Sequence, residues 1–159
     1  MRPEEELGRL LREKGKTLAV AESCTGGLVS DLITNVPGSS GYFLAAIISY
    51  SYESKSLLLG VDKSTLFSYG AVSEQTAREM ARGVRERTGA DIGAAVTGIA
   101  GPGGGTEQKP VGLVYFAVDD GKGVVVEKVV FTGDRAQVKR SSGERLIEII
   151  ITCLRQAGS

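Results

Sequence analysis

Thr17-Leu18-Ala19-Val20-Ala21-Glu22 is a short apolar run, and Ser23-Cys24-Thr25-Gly26-Gly27 follows it directly. From residue 25 to residue 36 the apolar residues return at helical spacing, until Pro37-Gly38 stops the pattern. A strand, a turn rich in hydroxyls and glycine, and a helix, in that order, form the repeating unit of α/β proteins. The rest of the chain extends the pattern. Residues 3–14 read as a helix, with Leu7, Leu10 and Leu11 on one face, Pro3 in the first turn and Gly15 at the end. Residues 42–50 are a mostly apolar run, suited to a strand buried on both faces.

Further on, residues 53–59 and 63–67 predict two short helical pieces. Ser73 is a good N-cap for a helix to residue 88, with Ala77, Met80, Ala81 and Val84 facing inward and Gly89 closing it. Residues 92–97 form a small-residue strand, followed by a glycine loop over residues 98–110. Two β-branched runs, 111–118 and 124–131, flank Asp119-Asp120-Gly121-Lys122-Gly123 and read as a hairpin. Asp134 caps a last helix striped by Leu146, Ile147, Ile150, Ile151 and Leu154. Helices mixed among strands, with one hairpin, predict a three-layer α/β/α sandwich with a mixed β-sheet, built as one domain over residues 1–159. The pattern leaves the strand order open.

Composition narrows the chemistry. The chain has 159 residues, 19 basic and 19 acidic side chains, and no histidine. A chain this long buries roughly 70% of its unfolded surface and needs no staple to fold. Zero net charge gives no electrostatic reason to expect nucleic acid or an anionic membrane as a partner. Without histidine there is no Ser-His-Asp or Cys-His pair and no His-ligated zinc, so covalent catalysis must use another base, such as lysine or a carboxylate. Cys24 and Cys153 make neither a metal motif nor a disulfide framework. The acidic, polar residues 1–13 lack the pattern of a signal peptide, no apolar run is long enough to span a bilayer, and the expected location is the cytoplasm.

Three stretches offer chemistry. Ser23, Thr25, Gly26 and Gly27 stand at a strand-to-helix junction, where a hydroxyl can attack a carbonyl whose oxygen is held by N–H groups; the competing reading is that Ser23 or Thr25 only caps the helix. Cys24 is a weaker nucleophile candidate with no histidine to pair with. Lys55, near the end of the second apolar run, becomes a general base if it is desolvated; otherwise it is an ordinary surface lysine. The glycines of residues 98–105 let backbone approach a ligand, and Arg135 offers an anion contact; the alternatives are a flexible connection and an exposed arginine.

These stretches occur in one order with others: Ala21-Glu22-Ser23-Cys24-Thr25-Gly26-Gly27, Pro37-Gly38-Ser39-Ser40, Tyr50-Ser51 with Lys55, Leu59-Gly60-Val61, Gly70-Ala71-Val72-Ser73, residues 97–102, Lys109-Pro110-Val111-Gly112, and Phe131, Gly133 and Arg135 at alternate positions. Over about residues 5–155 the chain resembles the CinA C-terminal domain family, the nicotinamide-nucleotide amidohydrolases. The resemblance implies an α/β/α fold and hydrolysis of the carboxamide of nicotinamide mononucleotide to nicotinate mononucleotide and ammonia, with no metal or other cofactor. It makes Ser23 the nucleophile, Lys55 its base and Tyr50 the residue that orients the pair. The substrate contacts expected with it are Thr25, Gly26, Gly27, Ser39, Ser40, Thr97, Gly98, Gly101 and Arg135. N–H groups near Thr25 and Gly26 would hold the oxyanion. Members often carry Asn where this chain has Tyr52. The resemblance also implies a homo-oligomer, a dimer or a trimer. Two alternatives stand beside the enzyme: a nucleotide-binding module without catalysis, and a protein-interaction module tied to competence or DNA damage.

Overall fold

A mixed five-stranded sheet separates two layers of helices. In the computed structural model, which describes residues 1–157, the strands are β1 (Leu18–Glu22), β2 (Phe43–Ile48), β3 (Ile92–Gly98), β4 (Leu113–Asp119) and β5 (Val124–Val130). They lie in the order β2-β1-β3-β4-β5. β1 runs parallel to β2 and β3, and β4 and β5 continue the sheet as an antiparallel hairpin. Helices α1 (Pro3–Lys14), α2 (Leu28–Thr34) and α6 (Arg135–Gln156) cover one face; α3 (Tyr52–Leu59), α4 (Lys63–Tyr69) and α5 (Glu74–Thr88) cover the other. The protein is thus the three-layer α/β/α sandwich that the sequence predicts. Among the described residues no helix is long and apolar enough to cross a membrane.

Period-2 alternation sorts the strand residues between the two layers. Leu18 and Val20 of β1 join the α1/α2/α6 core, whereas Ala19 and Ala21 join the α5 core. On the α5 side the sheet presents small residues, Ala95 and Ala117 beside those of β1. This lets α5 sit unusually close. A Cβ on Gly93 would strike the Ala81 carbonyl oxygen, and one on Gly83 would strike that of Leu59. The caps follow their sequence signals: Ser73 accepts from the Thr76 N–H at 3.2 Å and Asp134 from that of Gln137 at 2.9 Å.

The chain leaves β1 for α2 on one face and leaves β2 for α3 on the other. Crossovers that part in this way open a crevice at the carboxyl ends of the two strands, the usual ligand position in open α/β sheets. Ser23 follows β1 and Lys55 follows β2 at that crevice. One expectation about its wall needs correcting. The helix expected from residue 25 begins at Leu28, and residues 23–27 form a turn instead.

Candidate active site

Lys55 is the most deeply buried cation of the site, 1% exposed, on the inward face of α3. Its amine stands 2.9 Å from Ser23 Oγ and donates to the Ser49 carbonyl oxygen at 2.7 Å. Ser51 caps α3 by accepting from the Ser54 N–H at 3.0 Å, which sets the helix against the end of β2. Burial disfavours the ammonium and pulls the Lys55 pKa down from 10.5 to about 8; the nearby Cys24 opposes this to a smaller degree. At pH 7 roughly one lysine in ten is therefore neutral, enough to serve as a base. Burial also pushes the Cys24 thiol up to about 12, which holds it protonated and unreactive.

Glu22 organises the turn that presents Ser23. Its carboxylate is fully buried. Oε1 accepts from Thr25 Oγ1 at 2.6 Å and from the N–H groups of Gly27 and Val29 at 3.1 Å each. Oε2 accepts from the N–H and the hydroxyl of Ser30. The N-terminus of α2 is thus occupied by the chain's own carboxylate. The Gly27 N–H belongs to Glu22, and the Gly26 N–H donates to the Ser23 carbonyl at 3.1 Å. Their contribution is conformational: both have positive φ, 60° and 111°. The Thr25 hydroxyl is also committed to Glu22, while its N–H makes no hydrogen bond among the described residues.

Tyr50 and Arg135 lie together but not on the Ser-Lys pair. Arg135 Nη2 donates to the Tyr50 hydroxyl at 2.9 Å, and Nη1 donates to the Gly101 carbonyl at 2.7 Å. In this structure the Tyr50 hydroxyl is held by Arg135, and the Lys55 amine is held by the Ser49 carbonyl. Gly101, at φ 84°, accepts from Arg135 through a backbone bend that its missing side chain permits. Gly98 has a packing reason, since a Cβ there would lie 2.7 Å from Val114 Cγ2 and 2.8 Å from the Leu113 carbonyl oxygen. Thr97 is buried at the end of β3, where its hydroxyl donates to the Ala71 carbonyl at 2.9 Å. The Tyr52 hydroxyl accepts from the Ala71 N–H at 3.2 Å, on the same segment.

Ser39 and Ser40 stand apart from all of these. They form a short 3-10 turn before β2, at the amino end of the parallel strands. The six residues of β2 separate them from the crevice by roughly 20 Å. Within this chain Ser39 and Ser40 thus belong to a connecting turn, away from Ser23 and Lys55. Lys139 enters instead. One helical turn after Arg135, its amine lies 3.8 Å from where a Cβ of Gly26 would be. Leu28, Arg135, Ala136 and Lys139 line a cavity of about 350 Å³ beside the turn. Among the described residues no group of three or more His, Cys, Asp or Glu is placed to hold a metal ion.

Over residues 2–154 the chain matches the family model described as CinA C-terminal domain. The chain belongs to the CinA C-terminal domain family. A putative competence-damage inducible protein of Moorella thermoacetica is 49% identical over 148 residues, covering 93% of this chain and 36% of that protein. Among solved structures, a competence/damage inducible protein from Agrobacterium tumefaciens has a TM-score of 0.90 at 37% identity, covering 96% of this chain and 95% of that one. The competence damage-inducible protein A of Klebsiella pneumoniae has a TM-score of 0.93 at 31% identity, covering 98% of both chains. The chain spans about a third of the length of the curated relatives it matches.

Two residues of this candidate site, Glu22 and Lys139, do not stand out in the sequence. Glu22 reads there as the last residue of an apolar strand, and its link to Ser30 depends on a turn that periodicity cannot show. The signal for Lys139 was its spacing: Arg135 and Lys139, four apart, share one face at the start of α6.

Proposed function

We propose that this CinA-family domain, acting as a single unit over residues 1–159, hydrolyses the carboxamide of nicotinamide mononucleotide to nicotinate mononucleotide and ammonia. The observation that carries the reading is the buried approach of Lys55 Nζ to Ser23 Oγ at 2.9 Å, with the amine's pKa brought to about 8. Neutral Lys55 takes the hydroxyl proton as Ser23 Oγ bonds to the amide carbon. The Thr25 N–H is the donor available to the resulting oxyanion. When the carbon–nitrogen bond breaks, the Lys55 ammonium returns that proton to the leaving nitrogen, and ammonia departs. Neutral Lys55 next takes a proton from water as its oxygen attacks the ester. Ser23 leaves with that proton, and the acid is released. No step calls on a metal or another cofactor.

Arg135 and Lys139 supply the cationic end of the crevice for the phosphate. Arg135 keeps guanidinium N–H groups beyond the two donated to Gly101 and Tyr50. The homo-oligomer, a dimer or a trimer, belongs to the same proposal: β2 is an edge strand whose six residues carry no charge to keep another chain away. A cytoplasmic location and a small-molecule rather than nucleic-acid partner complete it. The names of the relatives, which refer to competence and damage induction, favour a second reading as an interaction module. Ammonia release from the mononucleotide by wild type, and its loss in Ser23→Ala, separates the two; folded wild type that releases none supports the second.

A further inference from the structure

The Ser49 carbonyl holds the Lys55 amine, but the Ser49 hydroxyl has no part in that reaction and is the least explained polar group near the site. It is fully buried, and its Oγ has no hydrogen-bond partner among the described residues. A buried hydroxyl without a partner is costly, and its persistence asks for a reason. The sheet register shows where it stands. Glu22 pairs with Ile48 on one side and with Val96 on the other. One residue further come Ser49, Ser23 and Thr97, and the Ser49 N–H donates to the Glu22 carbonyl at 2.9 Å, which extends the ladder. Ile47, Ala21 and Ala95, two residues before them, all pack on the α5 side. The three residues therefore form a row across the ends of β2, β1 and β3, on strands about 4.8 Å apart, on the side of the layer that carries Lys55.

Each member of this row is accounted for except one. Thr97 is tied to Ala71 and Ser23 faces Lys55. Ser49 holds Lys55 Nζ by its carbonyl but leaves its hydroxyl unengaged, a few bonds from the same amine. We infer that Ser49 is a positioning residue for Lys55 in the second half of the reaction, its hydroxyl becoming the lysine's partner while Ser23 carries the acyl group. This rests on the Ser-Lys reading above. An ammonium has three N–H donors, and Lys55 has two partners in the resting site. Once Ser23 Oγ is an ester oxygen it is a poor acceptor, and a buried ammonium needs another. A hydroxyl suits both states of the lysine, accepting from the ammonium and donating to the neutral amine. Ser49 makes and breaks no covalent bond.

The test uses wild type, Ser49→Ala and Ser49→Thr with two probes, nicotinamide mononucleotide and the activated ester p-nitrophenyl acetate. The ester acylates a nucleophilic serine whatever the natural amide. Mass spectrometry follows acyl-Ser23 with time, and thermal melting follows the fold. Ser49→Ala should melt at or above the wild-type temperature, because it removes an unpartnered polar group. It should also hold the acyl group about tenfold longer or more, while Ser49→Thr restores wild-type release. Deacylation of Ser49→Ala at the wild-type rate overturns the inference. Acylation of wild type by the ester without turnover of the mononucleotide refutes the substrate and leaves the Ser49 comparison decisive. Wild type that neither probe labels at Ser23 overturns both.

Discussion

The Lys55 amine and the Ser23 hydroxyl, 32 residues apart in the chain, meet at 2.9 Å in a place almost closed to water. Burial holds that amine near a pKa of about 8, so kcat/KM should rise with pH and level off above about 8. Lys55→Met should remove both the rise and most of the activity. A pH–rate profile that Lys55→Met leaves unchanged would remove the lysine from the mechanism.

The same burial has a consequence for stability. Below pH 8 the folded and unfolded chains both carry the proton, and the folded state bears the full cost of burying it. Between about 8 and 10.5 only the unfolded chain binds the proton, so this contribution to stability rises with pH across that window. A shift of this size corresponds to about 3 kcal/mol. Lys55→Met should therefore be more stable than wild type at pH 7, with the difference shrinking toward pH 10.5. Denaturant unfolding at several pH values measures it; a constant difference would contradict the lowered pKa.

Glu22→Gln tests the turn. An amide nitrogen cannot accept from the Ser30 N–H and hydroxyl that Oε2 now holds, so a buried donor loses its partner. The variant should lose about 3 kcal/mol of stability. Its turnover should fall with an unchanged pH profile, since Glu22 does not touch the lysine amine in this structure. Urea unfolding and a pH–rate series read the two effects separately.

Arg135 joins Tyr50 to Gly101, and each bond is separable. Tyr50→Phe removes one hydrogen bond and should change KM for the mononucleotide by less than tenfold. Arg135→Ala frees the glycine loop and removes a cation, so KM should rise more for the mononucleotide than for the riboside that lacks phosphate. Equal effects on the two substrates would take Arg135 away from the phosphate.

Much of this architecture is legible in the chain. Strands β1 and β3 read as strands because short apolar runs end at glycine and hydroxyl turns, and the hairpin because two β-branched runs flank Asp-Gly-rich residues. The absence of histidine leaves lysine or a carboxylate as the base, and it is the family resemblance that singles out Ser23 and Lys55. What periodicity misses is side-chain capping at a distance. Residues 25–27 look helical, yet the carboxylate of Glu22 draws the first N–H groups of α2 to itself and keeps the preceding turn non-helical. Ser39 and Ser40 share a motif-like stretch with glycine, and only the strand direction reveals that they stand at the amino end of β2, away from Ser23 and Lys55. Tyr50 shows the same limit: adjacency to Lys55 in sequence says nothing of the Arg135 guanidinium, 85 residues on.

The most direct measurement is ammonia release from nicotinamide mononucleotide by the metal-free protein, with Ser23→Ala alongside. Wild-type turnover that disappears in the folded variant is the predicted result. Equal turnover in both proteins would contradict the serine nucleophile and with it the Ser-Lys mechanism.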